Sequence, residues 1–149
     1  MSKGLGLVGL AYKAGKLVAG DTEVSEAVFE KRARLICVAS DASERLFERA
    51  RSMPERCNGL YVELPYTQAE LGRSIGRAAC AIVAFLDPGL SWAFANKLAE
   101  VDHERYNALS EALEARNERA ERRKSKKTAR SAGGKRPRDT QSGKRRTKE

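Results

Sequence analysis

Three short apolar runs constrain this chain more than any other feature. Arg34-Leu-Ile-Cys-Val-Ala39, Leu60-Tyr-Val-Glu-Leu64 and Ala81-Ile-Val-Ala-Phe-Leu86 are too short for buried helices and read as strands. The intervals around them carry helix starts. Asp41-Ala-Ser-Glu44 and Thr67-Gln-Ala-Glu70 have the spacing of a capping box, in which cap side chain and glutamate each satisfy an orphan amide. Asp87-Pro88 sets a capping carboxylate before a proline at the first helical position. Upstream, Leu7, Leu10, Ala11 and Ala14 fall at helical spacing and predict an amphipathic helix ending near Gly15. Lys16-Leu17-Val18 leaves room only for a short strand. A second helix follows, with Val24, Ala27 and Val28 on one face and Asp21 or Thr22 as its cap. Helices alternating with short strands predict an α/β fold: a three-layer α/β/α sandwich around a small, mixed, four-stranded sheet.

The C-terminal third has a different composition. From Leu90 to about Arg123 neither Gly nor Pro intervenes, and Trp92, Leu98, Val101, Leu109 and Leu113 form a thin apolar stripe among charges. That pattern predicts one long helix, packed near Trp92 and then projecting. The expected organisation is an α/β/α domain over residues 1–100, a charged helical extension over 101–123 and a disordered basic tail over 124–149. Residues 1–115 hold 14 Lys and Arg against 16 Asp and Glu, whereas residues 116–149 hold 15 against 4. The net charge of +9 therefore belongs to the tail, which should bind polyanions without sequence preference by releasing counterions.

Most functional classes are poorly supplied. No apolar run approaches the roughly 20 residues of a membrane span, and the N-terminus lacks the zones of a signal peptide. The three cysteines, Cys37, Cys57 and Cys80, are odd in number and scattered, as suits small apolar residues in a reducing cytoplasm. Their spacing offers no metal site. His103 is the sole histidine and lies among charges, so no nucleophile–histidine pair can be assembled around it. Gly4-Leu-Gly-Leu-Val-Gly9 matches the dinucleotide fingerprint, but only three residues precede it and no strand can feed the turn. Gly9 to Gly15-Lys16 has one residue too many for a phosphate-binding loop, and Leu17 stands where a hydroxyl is required. These readings imply no enzyme, no cofactor, no metal and no small-molecule substrate.

Lys13-Ala-Gly-Lys16-Leu-Val-Ala-Gly-Asp-Thr-Glu23 remains. A helix N-terminus after Gly20 offers unsatisfied amides and the positive end of a macrodipole, suited to a phosphate or a base edge. Lys13 and Lys16 add charge, and Glu23 can accept from a base amino or imino group.

Leu10-Ala-Tyr-Lys-Ala-Gly-Lys-Leu-Val-Ala-Gly-Asp-Thr-Glu23, followed by Arg34-Leu-Ile-Cys-Val-Ala-Ser-Asp-Ala-Ser43, resembles the kink-turn RNA-binding ribosomal proteins, the L-seven-Ae family. Leu71-Gly-Arg-Ser-Ile-Gly-Arg77 and Asp87-Pro-Gly89 are similar to its bacterial YlxQ-type branch. The resemblance runs over roughly residues 5–98 and implies the α/β/α sandwich reached above. It also implies a site. The family's Gly-x-Asn-Glu turn, which meets the sheared pairs of a kinked RNA duplex, falls on Gly20, Asp21, Thr22 and Glu23. The family's phosphate-contacting lysine falls on Lys16. A second loop covering a flipped-out nucleotide falls on Ile75, Gly76, Arg77 and Ala78. Thr22 replaces the asparagine, and one hydroxyl cannot make an amide's bidentate contact. Glu26 stands where many relatives carry lysine. The resemblance implies a monomeric, cytoplasmic, bacterial RNA-binding protein for kinked or internally looped RNA, with rRNA and the ribosome as candidate partners. The alternative is a non-specific nucleic-acid-binding or protein-interaction accessory whose core site has lapsed.

Overall fold

The computed structural model describes residues 4–133, with side chains described as far as residue 123. Its elements in chain order are α1 (Leu5–Lys13), β1 (Leu17–Ala19), α2 (Asp21–Phe29), β2 (Leu35–Val38), α3 (Glu44–Cys57), β3 (Leu60–Glu63), α4 (Gln68–Ser74), β4 (Ile82–Phe85), α5 (Pro88–Val101) and α6 (His103–Gly133). The four strands form one mixed sheet in the order β1-β4-β2-β3. β4 runs antiparallel to both neighbours, and β2 and β3 run parallel.

A strand's period of two deals its residues to opposite faces. Leu35, Cys37, Val83 and Phe85 join Leu17 and Ala19 in one core, closed by Leu5, Val8 and Ala11 of α1, Leu71 of α4, and Phe94 and Leu98 of α5. Ile36, Val38, Ile82 and Ala84 enter the other, closed by Val24, Ala27 and Val28 of α2 and Leu46, Ala50 and Met53 of α3. Every residue of β2 and β4 is buried, as central strands covered on both faces must be. The result is the expected α/β/α sandwich. Cys37, Cys57 and Cys80 are buried free thiols, and burial pushes the Cys37 thiol well above its ordinary range.

Five details differ from the sequence expectation. Leu5, Val8 and Ala11 form the buried stripe of α1, so Leu10, about 100° around the helix from Ala11, is 61% exposed. Asp41 closes no capping box. Helix α3 begins at Glu44, where Ser43 accepts the Leu46 amide at 3.2 Å, and Asp41 Oδ1 accepts from Gln68 N at 2.8 Å. (The Thr67–Glu70 box and the Asp87 cap both form.) The long helix is broken at Asp102, whose backbone is extended and whose Oδ1 accepts from Arg105 N at 3.3 Å, which starts α6. That corner lets Tyr106 and Leu113 enter the core, and the Tyr106 hydroxyl donates to the Glu63 carbonyl at 2.8 Å. The first of two compact units consequently reaches Glu114, beyond the boundary at residue 100, and the second begins at Ala115. Helix α6 runs to Gly133, past the start of the expected tail at Lys124. Residues 134–149 of that tail lie outside the described residues.

Candidate functional site

Gly20 is where β1 becomes α2. Its φ of 95° and ψ of 154° belong to a region open in practice only to glycine. Its amide donates to Ile82 O at 2.9 Å, and its carbonyl accepts from Val24 N at 3.0 Å. The turn is thus tied to the central sheet on one side and to the helix on the other. With glycine at the cap, no side chain covers the first amides of α2, and neither Asp21 nor Thr22 serves as the cap. Glu23 instead folds back, its Oε1 accepting from Ala19 N at 3.4 Å. Asp21 leaves the turn to pair with Arg49 of α3 and to accept a 3.5 Å bond from Ser25 Oγ. Thr22 and Glu26 are exposed.

The second stretch follows α4. Arg77 N bonds to Gly72 O at 2.8 Å and Cys80 N to Gln68 O at 2.9 Å, so the chain doubles back across the helix it has just left. Close approach makes this possible: a Cβ on Gly72 would lie 2.6 Å from Ala79 Cα, and one on Gly9 would lie 2.6 Å from Ser74 O. Gly9, which suggested a nucleotide fingerprint, is a packing contact between α1 and the end of α4. Ile75 packs partly buried against the core, while Gly76, Arg77 and Ala78 are exposed, Gly76 at a φ of 81°.

Arg77 brings the two stretches together. Its Nη1 donates to Ala19 O at 3.5 Å, its Nη2 donates to Tyr12 Oη at 3.2 Å, and its guanidinium carbon lies 5.7 Å from the Tyr12 ring centroid. A Cβ on Gly20 would lie 3.4 Å from Nη1, so the guanidinium covers the turn itself. Residues 20–23 and the loop at 75–78 are therefore one continuous surface. Lys13, beside Tyr12 in the last turn of α1, is exposed. Lys16 is exposed too, but it precedes β1, four residues from Gly20 and about 13 Å away at strand rise.

Sequence reasoning missed two members, Tyr12 and Arg49. Tyr12 lies within the stretch that carries the family resemblance but not among its candidate site positions, and Arg49 meets Asp21 across 28 residues of chain with no spacing rule to reveal it. Among the described residues, no group of three or more His, Cys, Asp or Glu side chains could hold a metal ion, and no helix is long and apolar enough to cross a membrane.

A model of the ribosomal protein L7Ae/L30e/S12e/Gadd45 family matches residues 2–94. The chain is 40% identical over 96 residues to the RNA-binding protein YlxQ of Bacillus subtilis (strain 168), covering 62% of this chain and 87% of that protein. It is 29% identical over 103 residues to the RNA-binding protein YlxQ of Enterococcus faecium, covering 66% and 90%. A solved structure of a protein of unknown function from Bacillus halodurans superposes with a TM-score of 0.61 at 26% identity, covering 66% of this chain and 98% of that one.

Proposed function

The chain belongs to the ribosomal protein L7Ae/L30e/S12e/Gadd45 family, and from that premise we propose that it is an RNA-binding protein that recognises kinked or internally looped RNA. Gly20, Asp21, Thr22 and Glu23 would meet the base edges at the kink. Ile75, Gly76, Arg77 and Ala78 would cover the strand beside it, with Lys13 and Lys16 on flanking phosphates. Recognition of RNA by shape and backbone is what such a surface can do. The protein acts as a monomer in a bacterial cytoplasm, with rRNA as its candidate target, and carries out no catalysis. One observation supports this reading above the rest: Arg77 joins the two stretches, so both can face a single bent strand.

A titration of the full chain against a kink-forming RNA and a matched straight duplex tests it. Mg²⁺ is held constant, because it folds the RNA unaided, and excess unrelated duplex occupies non-specific sites. The proposal expects a preference for the kinked RNA that shrinks in Glu23→Ala. Equal losses on both RNAs in that variant would refute a specific site at the turn.

Asp21 and Glu23 lie in the first turn of α2 and the exposed Glu26 follows in the next, which favours a second reading, a core that no longer selects kinked RNA. Thr22→Asn separates the two. A gain in kink preference supports an RNA-facing turn, and no change on either RNA favours the accessory role.

A further inference from the structure

We infer that Tyr12 is a positioning residue, one that holds the Arg77 guanidinium across the Gly20 turn so that its free edge meets an RNA phosphate. The inference rests on the RNA-binding reading above and adds to it a residue that contacts no RNA in its own right.

An exposed arginine ordinarily samples many rotamers, and ordering it on binding weakens the complex. Arg77 is exposed but already held. Three contacts from two elements converge on it: the Tyr12 hydroxyl at 3.2 Å, the face of the Tyr12 ring at 5.7 Å and the Ala19 carbonyl at 3.5 Å. Tyr12 can act as an anchor because it is itself partly buried against the core between α1 and the sheet. Guanidinium has five N–H donors, and these bonds engage two of them, leaving three for a ligand. Arg77 also forms no ion pair among the described residues, unlike Arg32, Arg49 and Arg51, each of which has a carboxylate partner. A cation held in place, with no carboxylate in ion-pair contact and with donors left in a planar fork, is suited to a backbone phosphate.

The test is a double-mutant cycle on the full chain, read as affinity for the kinked RNA and the straight duplex. Arg77→Ala should weaken kinked-RNA binding about 10-fold. Tyr12→Phe keeps the ring and the fold but loses the hydroxyl. It should weaken binding about 3-fold in the unmutated background and not at all once Arg77 is gone. Arg77→Lys keeps the charge without the fork and should behave like Arg77→Ala. A second measurement needs no RNA. In the free protein the Arg77 Nε–Hε group should show the heteronuclear NOE of an ordered side chain, lost in Tyr12→Leu, while exposed Arg45 stays mobile in both. Additive effects of Tyr12→Phe and Arg77→Ala would overturn the inference, as would an Arg77 as mobile as Arg45. Were the unmutated chain to show no kinked-RNA preference, the functional reading would fail before any variant was made, which separates the two failures.

Discussion

Gly72→Ala tests whether backbone contact seats the loop at residues 75–78. A Cβ at Gly72 would lie 2.6 Å from Ala79 Cα and 2.7 Å from its N and C atoms. Ordinary contact begins near 3.4 Å, so the returning chain must retreat by about 0.8 Å. The obstructing atoms are backbone and cannot rotate aside. The retreat also pulls on the Arg77 N–Gly72 O and Cys80 N–Gln68 O bonds, at 2.8 and 2.9 Å. Overpacking of this kind costs about 1–3 kcal/mol, and weakening two bonds worth about 1 kcal/mol each adds to it. Replacing a helical glycine by alanine gives back roughly 0.5–1 kcal/mol. The clash therefore wins, leaving the variant about 2 kcal/mol less stable, a fall in Tm of about 8 °C for a unit of this size. Gly6→Ala is the control, because nothing lies within 4 Å of its added Cβ. It should leave stability unchanged or raise it by up to about 1 kcal/mol. Urea unfolding followed by circular dichroism reads both. A Gly72→Ala protein at least as stable as the unmutated chain would refute the close-approach argument.

Two further outcomes concern the core and its rim. Burial works against the charge of Glu63, but the Tyr61 hydroxyl and the Arg51 guanidinium outweigh it and hold the carboxyl below its ordinary 4.5. A carboxyl depressed on folding stabilises above that ordinary value and loses the effect as pH falls from there through its lower folded-state pKa. Glu63→Gln should thus be less stable than the unmutated chain at neutral pH, with the gap closing below about pH 4 in thermal melts. Cys37, Cys57 and Cys80 are buried, and the thiols of Cys37 and Cys80 are pushed up by burial, so a thiol reagent should react fully only after denaturant is added. Rapid modification of any of them in the native protein would contradict their placement.

What could be read from the sequence follows the range over which each signal acts. The sheet strands were legible because Leu35–Val38 and Ile82–Phe85 are apolar runs that need no partner to be recognised. Thr67 and Glu70 were legible as a cap because both halves of the box lie within one turn. Asp41 misled for the same reason: its spacing to Glu44 is right, but the carboxylate serves Gln68, 27 residues away. The break at Asp102 was missed because Asp102 differs little from the charges around it, and the gain comes from burying Tyr106 and Leu113 beyond it. At the candidate site, Gly20 was legible as a turn, and Arg77 was picked out by resemblance. The contact that unites them was not, since Ala19 and Tyr12 lie 58 and 65 residues from Arg77 with no spacing rule to join them.

Charge at the site leads to one last prediction. Asp21 is paired with Arg49, and the charges of the exposed Lys13, Lys16 and Arg77 are largely offset by those of the exposed Glu23 and Glu26, so the core offers little net attraction to a polyanion. Residues 1–115 are slightly acidic overall, and the surplus of 15 Lys and Arg over 4 Asp and Glu lies in residues 116–149. On the RNA-binding reading proposed above, long-range attraction and selectivity should come from different parts of the chain. Counterion release makes the first fall steeply with salt, by a factor of about 10³–10⁵ between 50 and 200 mM for 6–10 phosphate contacts. Selectivity built from hydrogen bonds and shape at a fixed surface is screened far less. Across that salt range both RNAs should lose affinity together, while the ratio of kinked to straight binding stays within about 2-fold. A ratio that collapses toward one with rising salt would mean that the core discriminates by charge alone, and that the geometry around Gly20 and Arg77 reads nothing.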